Sequence, residues 1–104
     1  MKKYKFRGWV RYAKSNGDDY VVLDGSVKGR NSEMWLGRKW HSNVYNSLNE
    51  YVDEKVELGF TIDKDSNPKY ISPWGERFNT RPERGFIVLY LKPLESDKII
   101  VFDN

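Results

Sequence analysis

The sequence predicts a mainly β domain carrying one helix, and three observations support this. Tyr4–Tyr12 and Val56–Ile62 alternate apolar and polar residues with the period of a strand. Only residues 42–52 place apolar side chains at helical spacing. The apolar run Phe86–Leu91, followed by Pro93, has the length of a buried strand and is far too short to span a bilayer.

In chain order, Tyr4, Phe6, Gly8, Val10 and Tyr12 fall on one face of the first strand and are assigned to the core. Lys5, Arg7, Trp9 and Arg11 fall on the other and are assigned to solvent. A bulge at Gly8 is the alternative, and it would turn Trp9 inward. Asn16-Gly17-Asp18 signals a turn, so residues 4–24 read as an antiparallel hairpin whose second strand includes Tyr20–Leu23. Residues 24–33, with Gly25, Gly29 and Asn31, read as a loop, and Met34-Trp35-Leu36 as a short third strand. Ser42 or Asn43 is placed as the cap of a helix to about Val52, burying Val44, Leu48 and Tyr51 or Val52. Val56, Leu58, Phe60 and Ile62 then mark a half-buried strand. Residues 63–85, with Pro68, Pro73 and Pro82, form a long polar loop of a length that compact domains seldom keep without a use. Phe86–Leu91 is a central strand, and Ile99–Phe102 supplies a last one.

The 104 residues are the size of one domain, 1–104, with no internal repeat or linker. Aromatic residues make up 15% of the chain, enough to close a core although hydrophobic residues reach only 38%. There is no cysteine, which excludes disulfides, thiolate metal sites and a cysteine nucleophile and fits a cytoplasmic setting. Alternating charge rather than a continuous apolar stretch follows Met1-Lys2-Lys3, so no signal peptide is read. The net charge of +3 is unevenly spread: residues 1–41 carry +6 and residues 42–63 carry −4. A segregated basic end points to a polyanionic partner; a merely solvated surface is the alternative.

Three clusters interleave rings with cations. The first is Lys5, Arg7, Trp9 and Arg11, where an exposed indole among cations suits a stacked base with phosphates beside it. The second surrounds Trp35 and Trp40 with Arg38 and Lys39, extended by Lys28 and Arg30; of the two rings, Trp40 is assigned to the surface. The third is the long loop, with Lys64, Lys69, Tyr70, Trp74, Arg77, Phe78, Arg81 and Arg84. There Trp74 and Phe78 either grip a ligand or fold back to plug one end of the fold, with Glu76 and Glu83 pairing nearby arginines.

The element order (three strands, a helix, a strand, a long loop, a strand) resembles the OB-fold, a five-stranded Greek-key barrel. With the aromatic and basic interleaving, the chain resembles small OB-fold single-stranded nucleic-acid-binding proteins. The resemblance covers nearly the whole chain and implies that the long loop is one that grips oligonucleotides. A small α+β antiparallel sheet packed by one helix is the alternative fold. The chain ends Val101-Phe102-Asp103-Asn104, without the acidic tail of typical bacterial single-strand binders, so an accessory subunit is expected rather than a stand-alone coat.

Catalytic and metal chemistry find little footing. His41 is the only histidine, and with Glu33 and Arg38 it is the one set from which a small ribonuclease could be built. Asp63, Asp65 and Asn67 open like a calcium loop, but Pro68 and Trp74 stand where that loop needs Gly and Glu. The expectation is a non-enzymatic binder of single-stranded DNA, or of RNA, with low sequence specificity and no cofactor, metal or membrane. It would serve a replication polymerase, primase or helicase. A protein-interaction module or inhibitor using the same aromatic and basic surface, with Glu50, Asp53, Glu54 and Glu57 facing a basic partner, is the alternative.

Overall fold

The computed structural model describes residues 3–27, 30–39, 41–62, 70–71, 77–78 and 86–102. Strands dominate. β1 (Lys3–Ser15), β2 (Asp18–Val27) and β3 (Arg30–Gly37) form a meander. The turn between β1 and β2 is the two-residue Asn16-Gly17, with φ of 51° and 82°. Positive φ at both positions matches the right-handed twist of a hairpin, and Asn-Gly tolerates it best. After β3 come α1 (Ser42–Leu48) and a 3-10 turn (Asn49–Tyr51), then β4 (Lys55–Ile62). β5 (Tyr70–Ile71) and β6 (Arg77–Phe78) pair with each other; β7 (Phe86–Pro93) and the edge strand β8 (Ile100–Val101) complete the chain order.

The main sheet is antiparallel, with six strands in the order β3-β2-β1-β4-β7-β8. β4 returns to lie beside β1 after the three-strand meander, which is a Greek key, and the returning connection carries α1. Among the described residues the sheet is open, with β3 and β8 at its edges. One antiparallel sheet packed by one helix also fits the α+β alternative. No helix among the described residues is long and apolar enough to cross a membrane.

The core lies on one face of the sheet, under α1. Phe6 and Val10 of β1, Val21 and Leu23 of β2, and Met34 and Leu36 of β3 meet Val44, Tyr45 and Leu48 of the helix. Leu58 and Phe60 of β4 and Leu91 of β7 close it, and Tyr4 stacks on Phe60 at 5.3 Å. Period-two alternation therefore sorts β1 as its sequence suggests, with Tyr4, Phe6, Gly8 and Val10 in and Lys5, Arg7 and Trp9 out.

Several expectations need correction. Tyr12 lies on the inner face but is 50% exposed: it sits near the turn end of the hairpin, where its hydroxyl donates to Asp19 Oδ1 (2.6 Å). Residues 24–33 are not one loop: β2 runs on to Val27 and β3 begins at Arg30. Gly25 serves there as a close approach and not as a turn. It faces Gly8 across the β1–β2 ladder, and a Cβ on it would collide with the Arg7 carbonyl. A Cβ on Gly8 would sit 2.7 Å from the Asp24 carbonyl oxygen. The backbones meet here more closely than side chains permit.

Gly8 marks no bulge; β1 pairs with β2 in unbroken register. The irregularity falls instead between β4 and β7, where Gly59 pairs with Tyr90 and Phe60 with Val88, leaving Leu89 over. Its carbonyl accepts from the Phe102 N–H (3.0 Å). The helix is capped by His41, without a side-chain bond, and ends at Leu48 before the 3-10 turn. β4 is buried on both faces from Val56 to Thr61, because the Tyr90 ring lies across Gly59 on its outer side.

Candidate nucleic-acid interface

The outer face of the sheet, opposite the helix, is built around β1. Lys5, Arg7, Trp9 and Arg11 project from it in one row, about 7 Å apart along the strand. Trp9 is 53% exposed. An indole in water is a poor contributor to folding and a good platform for a planar ligand. Cross-strand pairing sets Lys55 of β4 on one side of Trp9 and Asp24 of β2 on the other. By the same register, the face takes six cations: Lys3, Lys5, Arg7, Arg11, Lys55 and Lys92. Against them stand Asp24, Glu33, Glu57 and, at the hairpin end, Asp18.

The carboxylates thus lie among the cations, and the face is only moderately positive. Arg11 Nη2 donates to Glu33 Oε2 (2.6 Å), and its Nε lies 3.4 Å from Asp24 Oδ2. Both pairs are solvated, so each holds Arg11 by little. Arg7 Nε donates to Glu57 Oε1 (2.8 Å), but its side chain is 61% exposed, so the terminal nitrogens can reach a second anion. Lys5 forms no ion pair among the described residues.

Glu57 is a fixed anchor and not a free competitor. Tyr90 Oη donates to its Oε2 (2.7 Å), so both oxygens are engaged. Burial alone would push its carboxyl up; the hydrogen bonds from Tyr90 and Arg7 and the charges of Arg7 and Lys5 outweigh that and hold it below the usual carboxylate range. Tyr90 is driven the other way, to about 12, by burial and by the bond to Glu57. This partly buried bridge holds the Arg7 side chain at Nε while its end stays in water.

The second cluster separates from the first. Trp35 is half-buried on the outer face and packs edge-on against Tyr20 at 5.4 Å. Arg38 turns away: its Nη1 reaches Asp19 Oδ2 (3.5 Å), the carboxylate that also holds Tyr12 on the inner face. Arg38 therefore does not share the Trp9 surface, because the chain leaves β3 at Gly37 and the strand alternation ends there. Lys39 is exposed beside it. Arg30 and Arg77 are placed only as strand residues, in β3 and β6. Lys28, Trp40, Lys64, Lys69, Trp74, Glu76, Arg81, Glu83 and Arg84 lie outside the described residues.

Sequence reasoning missed Lys55, Lys92 and Tyr90 as members of this face. The alternation of β4 could have shown Lys55 sharing a face with Glu57; that this face continues Trp9 is set by strand pairing, which no local pattern carries. Of the ribonuclease trio, two members are held by other partners. Glu33 is bound to Arg11, Arg38 to Asp19, and His41 Nε2 is buried without a hydrogen-bond partner among the described residues. Among the described residues no group of three or more His, Asp or Glu could hold a metal ion.

Burial pushes the His41 imidazole down to about 4 from the ordinary 6.5. Between those values the unfolded chain takes up a proton that the folded one refuses, so stability falls as pH drops through that window. As pH falls from the ordinary carboxyl value of 4.5, protonation of Glu57 removes a carboxylate favoured in the fold, in the same direction. Urea midpoints at pH 7 and pH 4.5 should show wild type losing more stability than His41→Leu. Equal losses would contradict the assignment.

No protein-family model matches the chain, and neither the curated proteins nor the solved structures give a match.

Proposed function

We propose that the protein is a non-catalytic binder of single-stranded nucleic acid, DNA in preference to RNA, acting through the outer face of β1. The carrying observation is the exposed Trp9 indole set in one row with Lys5, Arg7 and Arg11 and flanked by Lys55. A base stacks on the indole while Lys5, Lys55 and the free end of Arg7 meet the phosphates on either side. Nothing in this row reads base edges with fixed geometry, so binding has low sequence specificity. The Greek-key order, with a helix between the third and fourth strands, supports an OB-like barrel as the scaffold. The small, moderately charged face suits a cytoplasmic accessory subunit that holds template for a replication polymerase, primase or helicase.

The test is a titration of a fluorescent dT oligonucleotide, with rU of equal length beside it, over a series of salt concentrations. Three phosphate contacts give a log–log salt slope of about −2, since each contributes roughly 0.7 on a single strand. Glu33→Gln frees Arg11 from a solvated pair and should tighten binding about two- to five-fold. No binding at low salt, or a slope of zero, overturns the proposal.

A further inference from the structure

Trp9 also forms one wall of a groove of a different character. An open cleft of about 700 Å³ lies between the 51–55 turn and the turn that follows β7, with Tyr51, Pro93 and Leu94 as its other apolar walls. Both turns are fixed by backbone hydrogen bonds. Asp53 N–H donates to the Val10 carbonyl (2.8 Å), Val10 N–H to that of Glu54 (2.9 Å), and Leu94 N–H to that of Lys55 (3.1 Å). Charged side chains line the cleft between these fixed turns. Three of them are carboxylates: Asp53, Glu54 and Glu95 are exposed at the cleft, and none forms an ion pair among the described residues. Lys55 is the single cation on the lining.

We infer that this groove receives an arginine side chain presented by a basic segment of a partner protein. Charge complementarity selects the occupant. Phosphates are repelled by three carboxylates with no ion-pair partner among the described residues, and a neutral apolar ligand would leave those carboxylates without a counterpart. A guanidinium satisfies both surfaces at once: its plane stacks on the indole and its five donors reach the carboxylates. An ammonium offers the charge without the plane. Because Trp9 borders the groove and the basic row alike, a docked partner contends with a stacked base for the same ring. The inference does not depend on the nucleic-acid reading, since the groove and its charge stand whether or not an oligonucleotide binds.

The experiment titrates the full chain with the acetylated peptide Gly-Arg-Gly-Arg-Gly, following indole fluorescence and the indole N–H resonances. The comparison peptides replace arginine by citrulline or by lysine. The arginine peptide should shift the Trp9 indole resonance, with at least a ten-fold weaker response from citrulline and a several-fold weaker one from lysine. The triple variant D53N/E54Q/E95Q alters exposed side chains only, and its fold is checked by circular dichroism. It should lose the arginine response at least ten-fold while its dT affinity is undiminished. Equal binding of citrulline or lysine, an unchanged response of the triple variant, or no response at millimolar peptide overturns the inference. Loss of dT affinity in the triple variant also overturns it, by handing the groove to the oligonucleotide.

Discussion

Trp9→Ala should weaken binding of a dT oligonucleotide by about 1–3 kcal/mol, roughly five- to 150-fold, while leaving thermal stability nearly unchanged. The two effects separate because the ring is more than half exposed and belongs to no core contact. Trp9→Phe should restore part of the affinity, since a smaller ring still stacks. Trp35→Ala should do the reverse. That indole packs on Tyr20, which is buried, so its loss is read in the urea midpoint more than in the binding curve. A Trp9→Ala variant that binds dT like wild type removes the stacking platform from the account. One that unfolds removes the separation between platform and core.

Gly25→Ala carries the largest effect expected on the fold. Its new methyl would meet the Arg7 carbonyl and the Gly8 Cα, both backbone, so no side chain can swing aside. Relieving the clash means prising β1 from β2 where Gly8 and Gly25 face each other. Overpacking of this kind costs about 1–3 kcal/mol, and the upper half is expected because the neighbours are backbone. In a domain of this size that lowers Tm by about 10–20 °C. Gly8→Ala should act similarly, and the double variant should cost less than the two single changes together, since strands already parted have less to lose. A Gly25→Ala protein with wild-type Tm would contradict the close approach.

Local periodicity reached as far as local physics does. In β1 the period of two fixed which residues meet the core, because Phe6 and Val10 have nowhere else to bury and Lys5 and Arg7 cannot join them. The same rule found β4, but it understated its burial, since the Tyr90 ring that covers Gly59 comes from a strand some thirty residues on. Glycines misled the reading of residues 24–33. A Gly is equally at home in a turn and in a strand that another backbone approaches, and only the partner strand decides between them. Tyr12 misled it for a related reason: alternation gives the face, but whether anything covers that face depends on how far α1 reaches. At the site, the row on β1 was legible. The carboxylates threaded through it, Lys55 beside Trp9 and the departure of Arg38 to the other face were not, because all three follow from register and chain exit.

The claim that a single strand lies on the outer face of β1 is tested most directly by mapping dT binding onto the amide and indole resonances of the labelled protein. The account predicts the largest shifts at the Trp9 indole and along residues 5–11, joined by Lys55, and little change around Arg38 or on the helix. Shifts confined to the helix side of the sheet, with Trp9 unmoved by saturating oligonucleotide at low salt, would contradict it.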